Sequence, residues 1–427
     1  HVVFVDGDGG SGGLHLSLRG QRQMWIRDRP CGYSMRRRDQ CVERKGVHPI
    51  ECTGHSIVFN CITLIVNSNL NLLKKNNFSM DNLFFTDEHI MIRDMVREFA
   101  DSEITPVARD LDEQGKFPRD LVDKMGELGL MGIIIPEEYG GAGLDMVAFA
   151  TAVMELGRAD ASVAITMAAH TSLGSLPILM YGSDEQKNTY LPKLASGEML
   201  GAFGLTEPDA GSDAGATKTK AVRGGDEYVV NGGKIFITNA GEAGVLSFTS
   251  QVIENGENLG IAAFSIPTDT PGLEVGPKEK KMGWRASDTR QIFFRDMRIP
   301  VTSMLGTPAD GFKTFLKTLT SGRVSIGALS VGTAVGAYER ALAYSAERSA
   351  FGKPINKFQS IGFKLADMAT KIEASKLLVY HAAWMKDQGM DITKEAAMAK
   401  LFASETAMEV TTEAIQVHGG YGYVREY

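Results

Sequence analysis

Hydrophobic positions fall into three successive regimes along the chain, the first and last at helical spacing and the middle one at strand spacing. In residues 80–199, Ile90, Ile92, Met95, Val96 and Phe99 recur three and four residues apart behind Thr86-Asp87-Glu88, which makes Thr86 a helix N-cap. Pro106 ends that helix or starts the next. Residues 120–130 predict another, closed by Gly129 and Gly132, and Ile133-Ile134-Ile135 then runs into a turn at Pro136 and Gly140-Gly141. Residues 145–181 predict two long helices rich in Ala, Met, Val and Leu, broken near Asp160-Ala161-Ser162; being apolar all round, they should be buried among other helices. Ser183 followed by Gln186 is a capping box for a further helix. In such surroundings His170, Met167 and Met180 read as packing residues rather than ligands.

The spacing changes near residue 200. Tyr228-Val229-Val230, Val245-Leu246-Ser247-Phe248, residues 261–266 and Gln291-Ile292-Phe293-Phe294 are short apolar runs between Gly, Asn and Asp turns, which predicts an antiparallel sheet or barrel over residues 200–302. Helical periodicity returns in residues 303–427, from Gly311-Phe312 through a Gly- and Ala-rich stretch to Arg348, then over 359–388 and 394–416. Gly327, Ala328, Gly332 and Gly336 are small enough to let a neighbouring helix approach closely, which explains so many glycines that are costly in a helix. Helices, sheet, helices in sequence order predict an α+β chain: an N-terminal helical domain, a middle antiparallel β domain and a C-terminal helical bundle.

The 427 residues, 43% of them hydrophobic, suffice for two or three real cores. The net charge of −7 is unevenly spread. Residues 1–79 hold 11 Lys and Arg against 6 Asp and Glu, and the remainder holds 34 against 46. An acidic body disfavours a nucleic-acid surface. All four cysteines, Cys31, Cys41, Cys52 and Cys61, precede Met80 in a spacing that fits no zinc site, and the remainder needs no disulfide, as in a reducing compartment. Val2-Val3-Phe4-Val5 before Gly7-Asp8-Gly9-Gly10-Ser11-Gly12 formally matches a strand and a dinucleotide loop, but neither a helix nor a second strand follows, so a nicotinamide dehydrogenase is disfavoured. Residues 56–66 are apolar but too short to span a bilayer. Met80-Asp81-Asn82-Leu83 looks like a native start. Residues 1–79 are therefore expected to be translated upstream or adapter-like sequence, with a transit peptide as the alternative.

Candidate chemistry concentrates in residues 201–239. Phe203-Gly204-Leu205-Thr206-Glu207-Pro208-Asp209-Ala210-Gly211-Ser212-Asp213 is a shaped loop whose small residues let backbone approach a flat ligand and whose Thr206 and Ser212 add hydroxyls. Gly232-Gly233 reads as a turn, and Lys234-Ile235-Phe236-Ile237-Thr238 as a strand ending at Asn239. The two segments resemble the flavin-contacting signatures of the acyl-CoA dehydrogenases, and the resemblance covers residues 80–427. It implies FAD as cofactor, with Thr206 and Thr238 at the flavin ring, Phe236 stacked on it, Phe203, Leu205, Gly211 and Ile237 alongside, and Ser212 also toward the substrate thioester.

Further segments carry the resemblance into the helical end. Lys281-Met282-Gly283 with Arg285 and Ser287 is similar to a family segment near the cofactor, although its basic residues suit a solvated hairpin equally well. Arg323, after Thr320-Ser321-Gly322, matches a family Arg that holds the CoA moiety, a role suited to a guanidinium fork. Arg348-Ser349-Ala350-Phe351-Gly352-Lys353-Pro354, Phe358-Gln359 and Gln416-Val417-His418-Gly419-Gly420 resemble segments that serve the flavin of an adjacent subunit. The resemblance thereby implies cofactor roles for Arg348, Phe351, Phe358, Gln359, Gln416, Gly419 and Gly420, and a homo-oligomer, usually a tetramer.

Within the family a carboxylate removes the α-proton of an acyl-CoA thioester while hydride leaves the β-carbon for the flavin, and electrons pass to electron-transfer flavoprotein. The implied activity is dehydrogenation of short- or medium-chain acyl-CoA, in the bacterial cytoplasm or the mitochondrial matrix, without membrane attachment. The usual base is a Glu in a motif expected after Tyr427, and Gly322 stands where some relatives carry theirs, so no catalytic residue is assigned and this chain is expected to turn over poorly. Glu207 belongs to the cofactor loop, where a turn-stabilising or oligomer-contact role is favoured. Acyl-CoA oxidase, branched-chain dehydrogenase and a non-catalytic flavin- or acyl-CoA-binding fragment are the alternatives. Sequence does not fix the acyl chain length.

Overall fold

The structure, a computed structural model, describes residues 81–308 and 311–426, all within a compact unit of Lys75–Tyr427. The glycine-rich start, the four cysteines and the expected extension at 1–79 lie outside the described residues. Among those described, helices α1 (Asp81–Phe84), α2 (Asp87–Phe99), α3 (Ala108–Gln114), α4 (Arg119–Glu127), α5 (Met146–Ala159), α6 (Ala161–Ala169), α7 (Leu176–Tyr181) and α8 (Asp184–Ala195) precede the sheet. Capping side chains fix where these helices begin. Thr86 and Ser183 close capping boxes at α2 and α8, with His89 and Gln186 as the reciprocal partners, and Asp145 and Asp160 accept hydrogen bonds from Ala148 N and Val163 N at α5 and α6. Met167 is buried in the core, whereas Met180 is 38% exposed.

Two helices do not stop where their α pattern ends. A π-helical turn, Ala100–Ile104, continues α2, and another, His170–Ser175, joins α6 to α7. The stretch 161–181 is long and apolar enough to cross a membrane, but 83% of its most apolar window is buried in the protein, as in a core helix.

The middle region is one eight-stranded sheet: β1 (Leu200–Gly204), β2 (Lys220–Gly224), β3 (Glu227–Thr238), β4 (Ala243–Glu254), β5 (Glu257–Pro267), β6 (Leu273–Lys278), β7 (Thr289–Pro300) and β8 (Met304–Leu305), in the order β6-β7-β3-β2-β4-β5-β8, with β1 also on β4. Most neighbours are antiparallel, but the sheet is mixed, because β1 and β2 both run parallel to β4. The departure from the antiparallel expectation has a topological cause. The outer edge of β3 is taken by β7, so β4 pairs instead with β2, and both run opposite to β3. Since β5 covers one edge of β4, β1 and β2 share the other, β1 at 243–248 and β2 at 251–253. The loop 205–219 is an excursion between two pieces of one strand position. Gly232-Gly233, expected as a turn, instead lies inside β3. There the added Cβ of a larger residue at Gly232 would strike Thr219, and Gly232 has φ +144° beside a shift in pairing register.

Three long helices follow: α9 (Gly311–Glu347), α10 (Gln359–Asp387) and α11 (Thr393–His418). Between α9 and α10 the chain makes a two-stranded hairpin, β9 (Ser349–Ala350) with β10 (Lys353–Pro354). Helix α9 crosses α5 backbone to backbone: a Cβ on Gly332 would come within 3.0 Å of Arg158 N and closer still to Met154 O, and one on Gly157 within 3.1 Å of Leu329 O. Glycine at these positions is what lets the helical core close around Val153, Leu156, Ala328 and Val331, all buried. The sheet has its own core of Tyr228, Phe248, Phe264, Phe294 and Met297.

Candidate active site

The two sequence segments meet face to face. Phe203, Leu205 and Thr206 on one side and Phe236, Ile237 and Thr238 on the other line a single cavity of about 190 Å³, which Ala169, Leu173, Ala202 and Leu319 complete. Its shape comes from a bulge. Lys234 pairs with Ile292 and Ile237 with Arg290, so three residues of β3 advance against two of β7. Phe236 takes φ +58°, a conformation rare for an aromatic residue, and stands 64% exposed at the cavity while Lys234 and Ile237 are buried.

The opposite wall is held by His170. Gly201 N donates to His170 Nδ1 at 3.0 Å, so the proton sits on Nε2, which donates to Leu194 O at 3.1 Å and Met131 O at 3.2 Å. Complete burial lowers this imidazole to about 4, against the raising effect of its two carbonyl partners, and keeps it neutral. Gly174, in the π-helical turn, and Gly201 approach so closely that neither tolerates a Cβ, which carries Leu173 to the cavity.

Behind the loop lies a buried ion pair. Glu207 accepts from Lys234 Nζ at 2.7 Å, Lys218 N at 2.6 Å, Thr219 N at 3.2 Å and the Thr217 hydroxyl. One carboxylate at the start of the excursion thus grips the three residues that end it, the turn-stabilising role considered from sequence. Burial by itself would raise the Glu207 carboxyl, but the Lys234 ammonium, the Thr217 hydroxyl and the Lys218 amide outweigh it and hold the pKa at about 2. Burial draws the Lys234 ammonium down to about 8 against the attraction of Glu207. Both remain ionised at neutral pH.

A second cavity of about 210 Å³ adjoins the first, sharing Ala169, Leu173 and Leu319 with it. Ile165, Ser172, Gly322, Arg323 and Lys400 are among its other lining residues, so Arg323 stands next to the slot. No Asp, Glu or His lines either cavity among the described residues. Gly211 and Ser212 lie exposed in the excursion and do not line the slot. The remaining candidates gather elsewhere. Arg348, Gly419 and Gly420 line an open cleft of about 470 Å³ with Tyr344, His418 and Tyr421. The Arg348 guanidinium lies 5.6 Å from the centre of the Tyr421 ring. Phe351, 96% exposed at φ +50° on the hairpin, meets the Phe358 ring edge-on at 6.1 Å, and Gln359 and Gln416 are exposed on α10 and α11. In the 281–287 segment, Lys281 Nζ donates to Ser287 O at 2.7 Å and Arg285 Nε to Asp112 at 2.8 Å, so both cations serve internal contacts, while Met282 is 99% exposed.

Sequence reasoning missed Ala169, Leu173, Leu319, Ser172 and Lys400 as cavity residues. Small or apolar side chains on a helix look the same whether they face a core or a cavity, and a helical lysine such as Lys400 looks like any solvated one, so nothing in their spacing separates the two.

Comparison with known proteins decides the family. The chain matches the acyl-CoA dehydrogenase N-terminal domain over residues 86–198, the middle domain over 202–297 and the C-terminal domain over 309–427. The chain belongs to the acyl-CoA dehydrogenase family. It is 52% identical over 348 residues to a probable acyl-CoA dehydrogenase of Bacillus subtilis, covering 81% of this chain and 91% of that one. Among solved structures it resembles butyryl-CoA dehydrogenase from Megasphaera elsdenii (42% identity, TM-score 0.78, covering 82% and 92% of the two chains). A chain in a structure of the electron transferring flavoprotein of Acidaminococcus fermentans is 46% identical, with a TM-score of 0.79 and coverage of 82% and 91%. Acyl-CoA dehydrogenases are FAD-dependent oxidoreductases of acyl-CoA, and the donor set of the slot fits such a cofactor: apolar walls, an aromatic ring turned outward by a bulge, and two threonines at the edge.

Proposed function

We propose that this acyl-CoA dehydrogenase binds FAD with its ring in the 190 Å³ slot and acts on short-chain acyl-CoA held in the adjoining cavity, passing electrons to an electron-transfer flavoprotein. The observation that carries the reading is the juxtaposition itself: a space bounded by Thr206 and Phe236-Ile237-Thr238, with a second small cavity and Arg323 immediately beyond a shared wall. Bound FAD supplies the acceptor for hydride. The protein's part is to bind and orient. Phe203, Leu205 and Ile237 exclude water from the ring, Thr206 and Thr238 offer hydroxyls to its polar edge, and Phe236 stacks on its face. Gly211 and Ser212 would lie along the route of the substrate and cofactor chains. Arg323 would hold polar or phosphate oxygens of the CoA moiety. Glu207, engaged by four donors, is not available as a base.

Room of about 210 Å³ favours a short acyl chain, in line with the likeness to butyryl-CoA dehydrogenase. Arg348, Phe351, Phe358, Gln359, Gln416, Gly419 and Gly420 stand apart from the slot, so their cofactor role calls for a second copy: they would grip the outer part of a neighbouring subunit's FAD. The exposed Met398, Leu401, Met408 and Ile415 on α11 support such a homo-oligomer, a tetramer in our reading, working in bacterial cytoplasm or the mitochondrial matrix.

The test is spectroscopic. Purified protein reconstituted with FAD should hold about one flavin per chain, as any single-site flavoprotein does, and butyryl-CoA should perturb the visible flavin band more than palmitoyl-CoA does. Failure to retain FAD, or a flavin band indifferent to both thioesters, refutes the proposal.

A further inference from the structure

A lysine with none of its surface exposed is an expensive way to fill a strand position, and Lys234 is such a residue. Its ammonium donates to Glu207 Oε1 at 2.7 Å and to Leu205 O, Thr217 Oγ1 and Thr249 Oγ1, each at 3.2 Å. Four acceptors surround three protons, so the charge is fully solvated by protein. Even so, an apolar pair of the same volume commonly stabilises as well or better, and buried ion pairs are best attested where they fix a register. The geometry here offers such a register.

Leu205 and Thr206 form one wall of the slot, and Phe236, Ile237 and Thr238 the other. Two bonds tie the walls at their base: Ile235 N to Thr206 O at 2.9 Å, and Lys234 Nζ to Leu205 O. Lys234 is also the last residue of β3 in regular register before the bulge that turns Phe236 outward. The packing around its stem is tight, since a Cβ on Gly204, one residue before Leu205, would lie 3.1 Å from Lys234 Cγ. Glu207 in turn fastens the same ammonium to the far end of the excursion through Thr217, Lys218 and Thr219.

We propose that Lys234, anchored by Glu207, is a positioning residue that sets the width of the slot by holding the Leu205 carbonyl against β3. The inference rests on the slot being the flavin site. It predicts that the pair governs how tightly and how rigidly the flavin is held, separately from whether the domain folds.

Three variants of the full chain test it: Lys234→Met, Glu207→Gln, and the double change Lys234→Met with Glu207→Gln. The single variants leave one buried charge unpaired; the double leaves none, and the side-chain carbonyl that Glu207→Gln retains still accepts from the Lys218 and Thr219 amides, so it is the one expected to fold. For each, FAD affinity is measured by titration of flavin fluorescence, the visible band is recorded for loss of vibrational structure, and melting is followed with and without FAD. The expected result is a double variant whose FAD-free melting stays near that of the parent, whose FAD affinity falls by about tenfold or more, the scale of a lost charged hydrogen bond, and whose flavin band broadens. A double variant that binds FAD as tightly as the parent, with an unchanged band, overturns the inference, as do single variants whose melting falls equally with and without FAD, because unequal affinity must show as unequal stabilisation by the ligand. If the parent chain itself fails to bind FAD, the slot reading falls first and takes this inference with it.

Discussion

Gly332→Ala tests whether the α5–α9 crossing is as tight as it looks. In an ordinary exposed helix the change stabilises by about 1 kcal/mol, the difference in helix propensity. Here the new Cβ would sit 3.0 Å from Arg158 N and 3.0 Å from Gly157 C, and nearer to Met154 O, where ordinary contact begins at 3.4 Å. All three obstacles are backbone, which cannot swing aside as a side chain can. The helices must part by roughly 1 Å, and a gap of that size forfeits a quarter to a half of the dispersion well along the seam. Overpacking of this kind costs typically 1–3 kcal/mol and occasionally more. With backbone on every side the upper end applies, leaving a net loss of about 2 kcal/mol after the propensity gain. Gly362→Ala is the matched control: it lies in α10, and its Cβ would meet only Asn356 O at an ordinary 3.5 Å. Thermal melts at one protein concentration should show Gly332→Ala below the parent by about 3 °C, the usual scaling for a unit of this size, and Gly362→Ala at or above it. A Gly332→Ala protein as stable as the Gly362→Ala one would refute the reasoning.

Other expectations follow from the site. Because the folded pKa of His170 is depressed to about 4 from 6.5, the unfolded chain takes up this proton first. Stability from this group is therefore complete above pH 6.5 and is lost as pH falls toward 4, by about 3 kcal/mol in all; His170→Gln should flatten that part of the melting-versus-pH curve, and an unchanged slope would count against it. Phe351→Asp should leave FAD-free melting intact, since the ring is exposed, while weakening both FAD retention and self-association in light scattering; a fully flavinated tetramer would contradict the proposed role. Arg323→Ala should weaken butyryl-CoA binding by about tenfold, as for a lost charged hydrogen bond, without changing FAD affinity, and equal binding by both proteins would remove Arg323 from the substrate site.

Features written in local chemistry were legible from the sequence. Thr86 and Ser183 cap helices because an Ncap hydroxyl needs only its own next turn, and the strands at Tyr228-Val229-Val230 and 261–266 announce themselves by apolar and β-branched content. Features set by distant pairing were not. Gly232-Gly233 has the composition of a turn, but whether glycines bend a strand or relieve crowding inside it depends on a neighbour, here Thr219 and β7, that sequence does not name. The parallel β1–β4 and β2–β4 pairs depend on which edges β7 and β5 already occupy. Within the site, Thr206, Phe236 and Thr238 could be found by motif, and their meeting in one slot is seen in the structure. A lone Lys in the apolar run 234–237 was a signal of the buried pair; its partner Glu207, 27 residues earlier, was not.

The divided strand position beside β4 leaves the protein free in one respect where it is otherwise constrained. Because β1 and β2 are both docked on the same partner, residues can be added to or deleted from the tip of 208–216 without moving either end of the segment, and no side chain of the sheet need exchange its inside for its outside. Lengthening or shortening the chain there carries little risk to the scaffold beneath.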